Sequence, residues 1–184
     1  MKKILLTTGL GLFLSTSVHA VNPVCTYTPD QEIVRSAEYI ADVSVLGNDT
    51  ARINAVNPCG GSLLQLAVLR NNPDIIKYLL ENGADTNTLV SIKGYEADFD
   101  PQTPTEIPVL LFAARYIAHG DTFQVLLNHE LDARIVDASG HDIFWYFNQN
   151  PVLRESYITK GGFDQLISYK KMFGSETPLD DGFE

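Results

Sequence analysis

Apolar residues in this chain come in short bursts at helical spacing, each closed by a polar break. The clearest stretch runs from Gly61 to Asn87. Leu63, Leu64, Leu66 and Ala67 supply the buried side of a first helix, with Ser62 placed to cap it. Asn71-Asn72-Pro73 ends that helix. Pro73 suits the first turn of a second, in which Ile75, Ile76, Leu79 and Leu80 recur at i, i+1, i+4 and i+5 on one face. Gly83 can adopt the left-handed backbone that stops a helix. Ala67 is small enough to let the two helices approach closely.

That hairpin resembles the ankyrin repeat. Leu64-Gln65-Leu66-Ala67 falls on the family's Leu-His-x-Ala, and Asp74-Ile75-Ile76 on its Glu-Ile-Val. Leu79-Leu80 and Gly83-Ala84-Asp85-Thr86-Asn87 match the Leu-Leu and Gly-Ala-Asp-x-Asn that follow. A step back of about 33 residues, the ankyrin period, carries Ala84-x-x-Asn87 onto Ala51-Arg52-Ile53-Asn54 and Leu79 onto Leu46. This places a degenerate first repeat near 29–56, with Ile33, Val34 and Ala37 on its first helix and Val43 and Leu46 on its second. The clear repeat occupies 57–89. A third, near 107–136, opens with Leu110-Leu111-Phe112-Ala113-Ala114 and continues through Gly120 to Leu127. A fourth, near 137–162, begins with Asp137-x-x-Gly140-x-Asp142, which matches Asn57-x-x-Gly60-x-Ser62, and is rich in aromatics from Phe144 to Phe147. Phe163 to Met172 reads as a last capping helix, and 174–184 as a flexible tail. The resemblance therefore implies an all-α ankyrin-repeat solenoid of about four helix-turn-helix repeats within 21–173.

One spacing breaks the period. Leu80 and Leu127 lie 47 residues apart where roughly 33 are expected, so about 14 residues are inserted, within 90–106. The insertion falls where a turn or β-hairpin finger joins neighbouring repeats. It mixes aromatics with acids (Tyr95, Glu96, Asp98, Phe99, Asp100). Insertions in solenoids collect on one face, often the binding face; a solvated spacer is the alternative.

The N-terminus changes the balance of charge. Lys2 and Lys3, the apolar stretch from Ile4 to Leu14, and Val18-His19-Ala20 follow the layout of a secretory signal peptide cleaved after Ala20. The apolar run is too short to span a bilayer, which takes about 20 residues. Loss of residues 1–20 removes two lysines and no acid, moving the net charge from −10 to −12. An acidic domain repels phosphate backbones and anionic lipid, which argues against nucleic acid and membrane insertion and for a protein partner with a basic surface. In an exported protein the two cysteines, Cys25 and Cys59, are expected to pair as a disulfide. Such a bridge would be worth about 3 kcal/mol in the chain-entropy model. Two free thiols are the alternative.

Catalytic chemistry is not legible. His119, His129 and His141 lack a partner at metal-binding spacing. There is no Gly-x-Ser-x-Gly elbow and no phosphate loop. No cofactor, metal or enzyme activity is expected. The partner-contact candidates are the inserted Tyr95, Glu96, Asp98, Phe99 and Asp100, together with Arg70, Tyr116 and His141. These last lie at exposed first-helix ends (Leu69-Arg70, Tyr116-Ile117, Asn148-Gln149) and at turn tips (Asn57 to Gly60, Asp137 to His141). Ankyrin repeats imply binding, which leaves two roles for an exported, periplasmic protein that is a monomer when free. One is an immunity protein neutralising a secreted antibacterial toxin. The other is a scaffold or chaperone-like protein supporting an envelope or oxidative-stress enzyme.

Overall fold

The structure is a computed structural model, and it describes residues 26–92, 106–117, 119–129 and 134–179. The signal segment 1–20, Cys25, the inserted Tyr95, Glu96, Asp98, Phe99 and Asp100, and residues 180–184 lie outside that set.

The chain opens with α1 (Pro29–Ser36), α2 (Ile40–Val43), a 3₁₀ turn (Ser44–Leu46) and α3 (Thr50–Ile53). Helix α1 starts on a capping box, with Thr28 Oγ1 accepting from Gln31 N and the Gln31 side chain accepting from Thr28 N. Arg52 of α3 reaches back to Asp30 with two hydrogen bonds, Nη2 to Oδ1 at 2.6 Å and Nε to Oδ2 at 3.1 Å. That contact holds the Asp30 carboxyl below its ordinary range. The hairpin read in the sequence is α4 (Leu63–Leu69) and α5 (Pro73–Glu81), capped by Ser62 and Asn72 respectively. Asn71 makes the break between them in the left-handed region, at φ +52°, a conformation asparagine tolerates better than most residues. Two further pairs follow: α6 (Val109–Tyr116) with α7 (Gly120–Asn128), and α8 (Ile143–Asn148) with α9 (Pro151–Thr159). Helix α10 (Phe163–Phe173) closes the series.

The helices form two layers. In one, α1 packs on α4, α4 on α6 and α6 on α8; in the other, α5 packs on α7 and α7 on α9. Shared hydrogen bonds set the alignment of neighbours. Asn150 caps α9 through its Oδ1 and donates its amide to Ala114 O (3.0 Å) and Ile117 O (2.8 Å) at the end of α6. One buried asparagine thereby joins two successive pairs and satisfies carbonyls that the helix end leaves over.

The first-layer helices α4 and α6 are apolar almost all round. Every residue from Leu63 to Val68 and from Val109 to Ala114 is buried, which is the physical fate of a helix without a polar face. The core continues through Phe123, Phe144, Phe147 and Leu153, each at most 1 % exposed. The Phe123 ring stacks on Phe147 at 5.8 Å and meets Tyr157 edge-on at 5.7 Å. Burial pushes the Tyr157 phenol upward in pKa, and its hydroxyl donates to Gln124 Oε1 at 2.6 Å.

Three expectations need correction. The chain is not purely helical: β1 (Leu89–Ser91) and β2 (Glu106–Pro108) form a two-stranded antiparallel ladder, with Val90 opposite Ile107. Val90 and Ile107 are buried, so the ladder's inward residues belong to the core. The ladder therefore takes Val90, Ser91 and Glu106 out of the expected insertion. Second, the tail expected to be flexible from Gly174 is folded as far as Leu179. Ser175 and Thr177 bond to Asp142, Pro178 O accepts from Asn148 Nδ2, and Leu179 packs against the core. Third, Ile117 is 1 % exposed and cannot be a contact residue; an apolar residue closing an inter-helix junction belongs inside.

Candidate interaction surface

Two turns project from the first layer and are built alike. In residues 57–61, Asn57 Oδ1 accepts from Cys59 N (3.0 Å) and Gly61 N (2.8 Å). In residues 137–141, Asp137 Oδ1 accepts from Ser139 N and His141 N, both at 2.8 Å. Both turns close with the same two backbone bonds, Gly60 N to Asn57 O and Asn57 N to Gly61 O in one, Gly140 N to Asp137 O and Asp137 N to His141 O in the other. Each has glycine at positive φ in its fourth place, Gly60 at +81° and Gly140 at +85°. The next helix starts on the capping side chain that follows, Ser62 or Asp142.

The first turn is tied to the β-ladder. Ser91 N donates to Gly60 O at 2.9 Å, and a Cβ on Gly60 would lie 2.9 Å from Ser91 Cβ, which explains the glycine. Buried glutamines anchor this edge from beneath. Gln31 Nε2 donates to Gly61 O at 2.8 Å, and Gln65 Nε2 to Ser91 O at 3.0 Å. The two glutamines stand 34 residues apart, a repeat-length spacing that sequence reasoning passed over.

At the second turn Asp137 is the centre. Its side chain is fully buried, and its second oxygen accepts from the Tyr146 hydroxyl at 2.8 Å and lies 3.0 Å from His141 Nδ1. Burial alone would raise its pKa. The hydrogen bonds from His141 N–H, Tyr146, the His141 ring and Ser139 N–H outweigh that cost, so the carboxyl sits below its ordinary range. The His141 ring stacks on Trp145 at 3.8 Å between centroids. His141 is therefore a braced, partly exposed platform and not a loose turn residue. Trp145, half-buried beside it, was missed in the sequence; the His141-x-x-x-Trp145 spacing across a turn and helix start was the available signal.

Arg70 and Tyr116 occupy the other edge. Arg70 is exposed at the C-terminal end of α4. Tyr116 is the last residue of α6, half-buried, with its ring 4.6 Å from that of Phe112. Arg115 beside it reaches Gln149 O at the end of α8, so the C-terminal ends of α6 and α8 are neighbours. His141 precedes the opposite end of α8, about 10 Å away along a helix rising 1.5 Å per residue. The candidates thus divide between two edges of the first layer, with the buried helix faces between them.

Cys59 is half-buried in the first turn. Among the described residues, no group of three or more His, Cys, Asp or Glu side chains is placed to hold a metal ion, and no helix is long and apolar enough to cross a membrane.

A family model described as an ankyrin repeat matches residues 59–88. That span begins in the first turn, takes in α4 and α5 and ends at the start of the ladder. The match supports an ankyrin-repeat protein, and ankyrin repeats generally mediate protein–protein interaction. No curated protein matches the chain.

Proposed function

We propose that this chain is an exported module of about four ankyrin repeats that acts by binding another protein, without catalysing a reaction. The observation that carries the reading is the pair of like-built turns, Asn57–Gly61 and Asp137–His141, each braced at the head of a helix pair in register with the matched repeat. Turns of this kind hold side chains in fixed positions on a rigid scaffold, as binding loops require. Partner contact falls to His141 with Trp145 on the turn edge and to Arg70 and Tyr116 on the helix-end edge. Tyr95, Glu96, Asp98, Phe99 and Asp100, which lie between the two strands in sequence, complete the proposed contact set.

The finer role we propose is that of a periplasmic immunity protein, neutralising a secreted antibacterial toxin through a basic surface on it. The signal-peptide layout of residues 1–20 and the acidic balance support this role. A pairing of Cys25 with Cys59 fits the same compartment. Gln31 bonds both to Gly61 O and to Asn57 Nδ2, so the start of α1 is held against the turn that carries Cys59.

The test is a pull-down from periplasm and from co-cultured rival cells, using the full chain and two variants. One replaces residues 93–105 with a short Gly-Ser turn; the other carries Arg70→Ala, Tyr116→Ala and His141→Ala. Loss of capture by either variant is expected, and equal capture by all three proteins overturns the surface assignment. For the immunity role, cells lacking the gene should lose in competition with a toxin-secreting rival; unchanged survival overturns it.

A further inference from the structure

The turn at 137–141 holds an imidazole in one orientation. Asp137 grips His141 twice: Oδ1 accepts from the His141 backbone N–H at 2.8 Å, and Oδ2 lies 3.0 Å from ring Nδ1. The ring also lies flat on Trp145, with 3.8 Å between centroids and 16° between planes. Backbone, one ring nitrogen and one ring face are all held.

The same contacts decide where the imidazole keeps its proton. The Asp137 carboxyl sits below its ordinary range, and Oδ2 already accepts from the Tyr146 hydroxyl at 2.8 Å. An ionised carboxylate accepts and cannot donate, so the hydrogen between Oδ2 and the ring belongs to Nδ1. A neutral imidazole has one donor nitrogen and one acceptor, and the bond made by the first fixes the role of the second. With the proton on Nδ1, Nε2 is left with its lone pair. Among the described residues Nε2 has no hydrogen-bond partner, and the His141 side chain is 34 % exposed.

The first turn shows what an amide does in the same place. Asn57 keeps the two Oδ1 bonds, but its second polar atom, Nδ2, donates to Gln31 Oε1 at 3.0 Å. Gly61 stands where His141 stands. Of these two turns, the second alone pairs a carboxylate with a ring.

We infer that Asp137 sets the polarity of this edge: it holds neutral His141 with the proton on Nδ1, so that Nε2 meets the partner as a hydrogen-bond acceptor and receives an N–H of a lysine or arginine side chain. Asp137 acts through His141 and is a positioning residue. The inference rests on the proposed protein-binding role and names the group that the partner presents. A cationic donor also suits the neighbouring Trp145 ring and the acidic balance of the chain.

The experiment uses the full chain with nitrogen-15 in its histidines, at about pH 8, where an ordinary histidine is neutral. A long-range proton–nitrogen correlation spectrum shows which ring nitrogen carries the hydrogen, and a His141→Phe chain identifies the His141 signals. In the natural chain the hydrogen should be on Nδ1. Asp137→Asn should move it to Nε2, because the amide then donates to Nδ1 as Asn57 donates to Gln31. Tyr146→Phe removes the other bond to Oδ2 and should leave the hydrogen on Nδ1, which separates proton placement from general loosening of the turn. The partner group is probed with Nα-acetyl-argininamide, followed at His141 Nε2 and at the Trp145 indole. It should bind the natural chain about tenfold tighter than His141→Phe, which keeps a ring on Trp145 and lacks the acceptor. The inference is overturned if the natural chain carries the hydrogen on Nε2, if Asp137→Asn leaves it on Nδ1, if Tyr146→Phe moves it, or if the arginine probe binds both chains alike. The place of the proton is read without a partner, so a pull-down that captures nothing leaves it standing, and the converse also holds.

Discussion

Asp137 offers the sharpest test of how the second turn is held together, because the chain contains its own control. The Asp137 side chain takes part in four polar contacts at 2.8–3.0 Å while fully shielded from water. Asn57 performs only the Oδ1 half of that task in the first turn. Asp137→Asn should therefore keep the bonds to Ser139 N and His141 N and lose the charge-assisted pair on Oδ2, at a cost of about 1–2 kcal/mol. Asp137→Ala removes all four contacts and leaves the Tyr146 hydroxyl and two backbone N–H groups without their acceptor. Hydrogen bonds to a charged group are worth about 1.5–3 kcal/mol each and do not add fully, so about 3–5 kcal/mol is expected.

Urea denaturation followed by circular dichroism measures both values. The fluorescence of Trp145, the chain's single tryptophan, reports on the turn itself because it stacks on His141. The sign of the pH dependence follows from the direction of the shift. The folded-state pKa is lowered, so the carboxylate's contribution is complete above the unfolded value of about 3.9. It is lost as pH falls from there through the folded value, as the unfolded chain takes up the proton more readily. The stability gap between the natural chain and Asp137→Asn should shrink as pH drops below about 4. The reasoning fails if alanine costs no more than asparagine, or if the gap stays constant across that range.

The inter-repeat junctions give further predictions. Gln65→Ala removes the bond to Ser91 O from a residue that is 2 % exposed, and a loss of about 1–2 kcal/mol is expected in the same denaturation assay. Gly120→Ala places a Cβ 3.0 Å from Tyr157 Cα and 3.2 Å from Tyr157 N, so α7 and α9 must part; a penalty of about 1–3 kcal/mol is expected, visible as a lowered Tm. Phe123→Ala empties a site ringed by Phe147 and Tyr157 and should cost about 3–5 kcal/mol. If Cys25 and Cys59 pair, thiol labelling of the non-reduced exported protein should modify neither, and two labelled cysteines would refute the bridge.

The helix hairpin was legible because its signals are local. Ser62 and the Asn72-Pro73 pair stand where a chain must stop and restart, and Ile75, Ile76, Leu79 and Leu80 can share a side only on a helix. The matching turns were legible as the spacing of Asn57, Gly60 and Ser62 against Asp137, Gly140 and Asp142, since glycine at positive φ leaves few substitutes. What escaped depended on contacts distant in sequence. Three-residue strands are too short to show alternation, so Val90, Ser91 and Glu106 merged into the insertion. Ser175 and Thr177 resemble any polar tail until Asp142, more than 30 residues earlier, is placed beneath them. Asp137 reads as a surface acid because nothing near it in sequence foretells the Tyr146 hydroxyl.

The burial of the first-layer helices constrains where recognition can occur. A groove lined by helix side chains needs exposed residues along those helices, yet on α4 and α6 every residue from Leu63 to Val68 and from Val109 to Ala114 is buried, and Gln65, the one polar residue among them, is engaged with Ser91 O. Opening them to a partner would expose apolar side chains, each of which loses about 1.5–3 kcal/mol of burial, before any contact forms. A partner is therefore met at the margins, on the braced turns or on the helix ends. Helix α8 differs from α4 and α6: Trp145 and Asn148 are half-buried on it and Gln149 is exposed at its end. Ser175 and Thr177 bond to its cap residue Asp142, and Pro178 O accepts from Asn148 on it. Accessible polar side chains thus return at α8, beside the turn whose histidine and tryptophan are already fixed in place. Substitutions at Asp142, Asn148 and Trp145 should accordingly affect binding more than equally conservative changes along α4 or α6, whose effects should appear as lost stability.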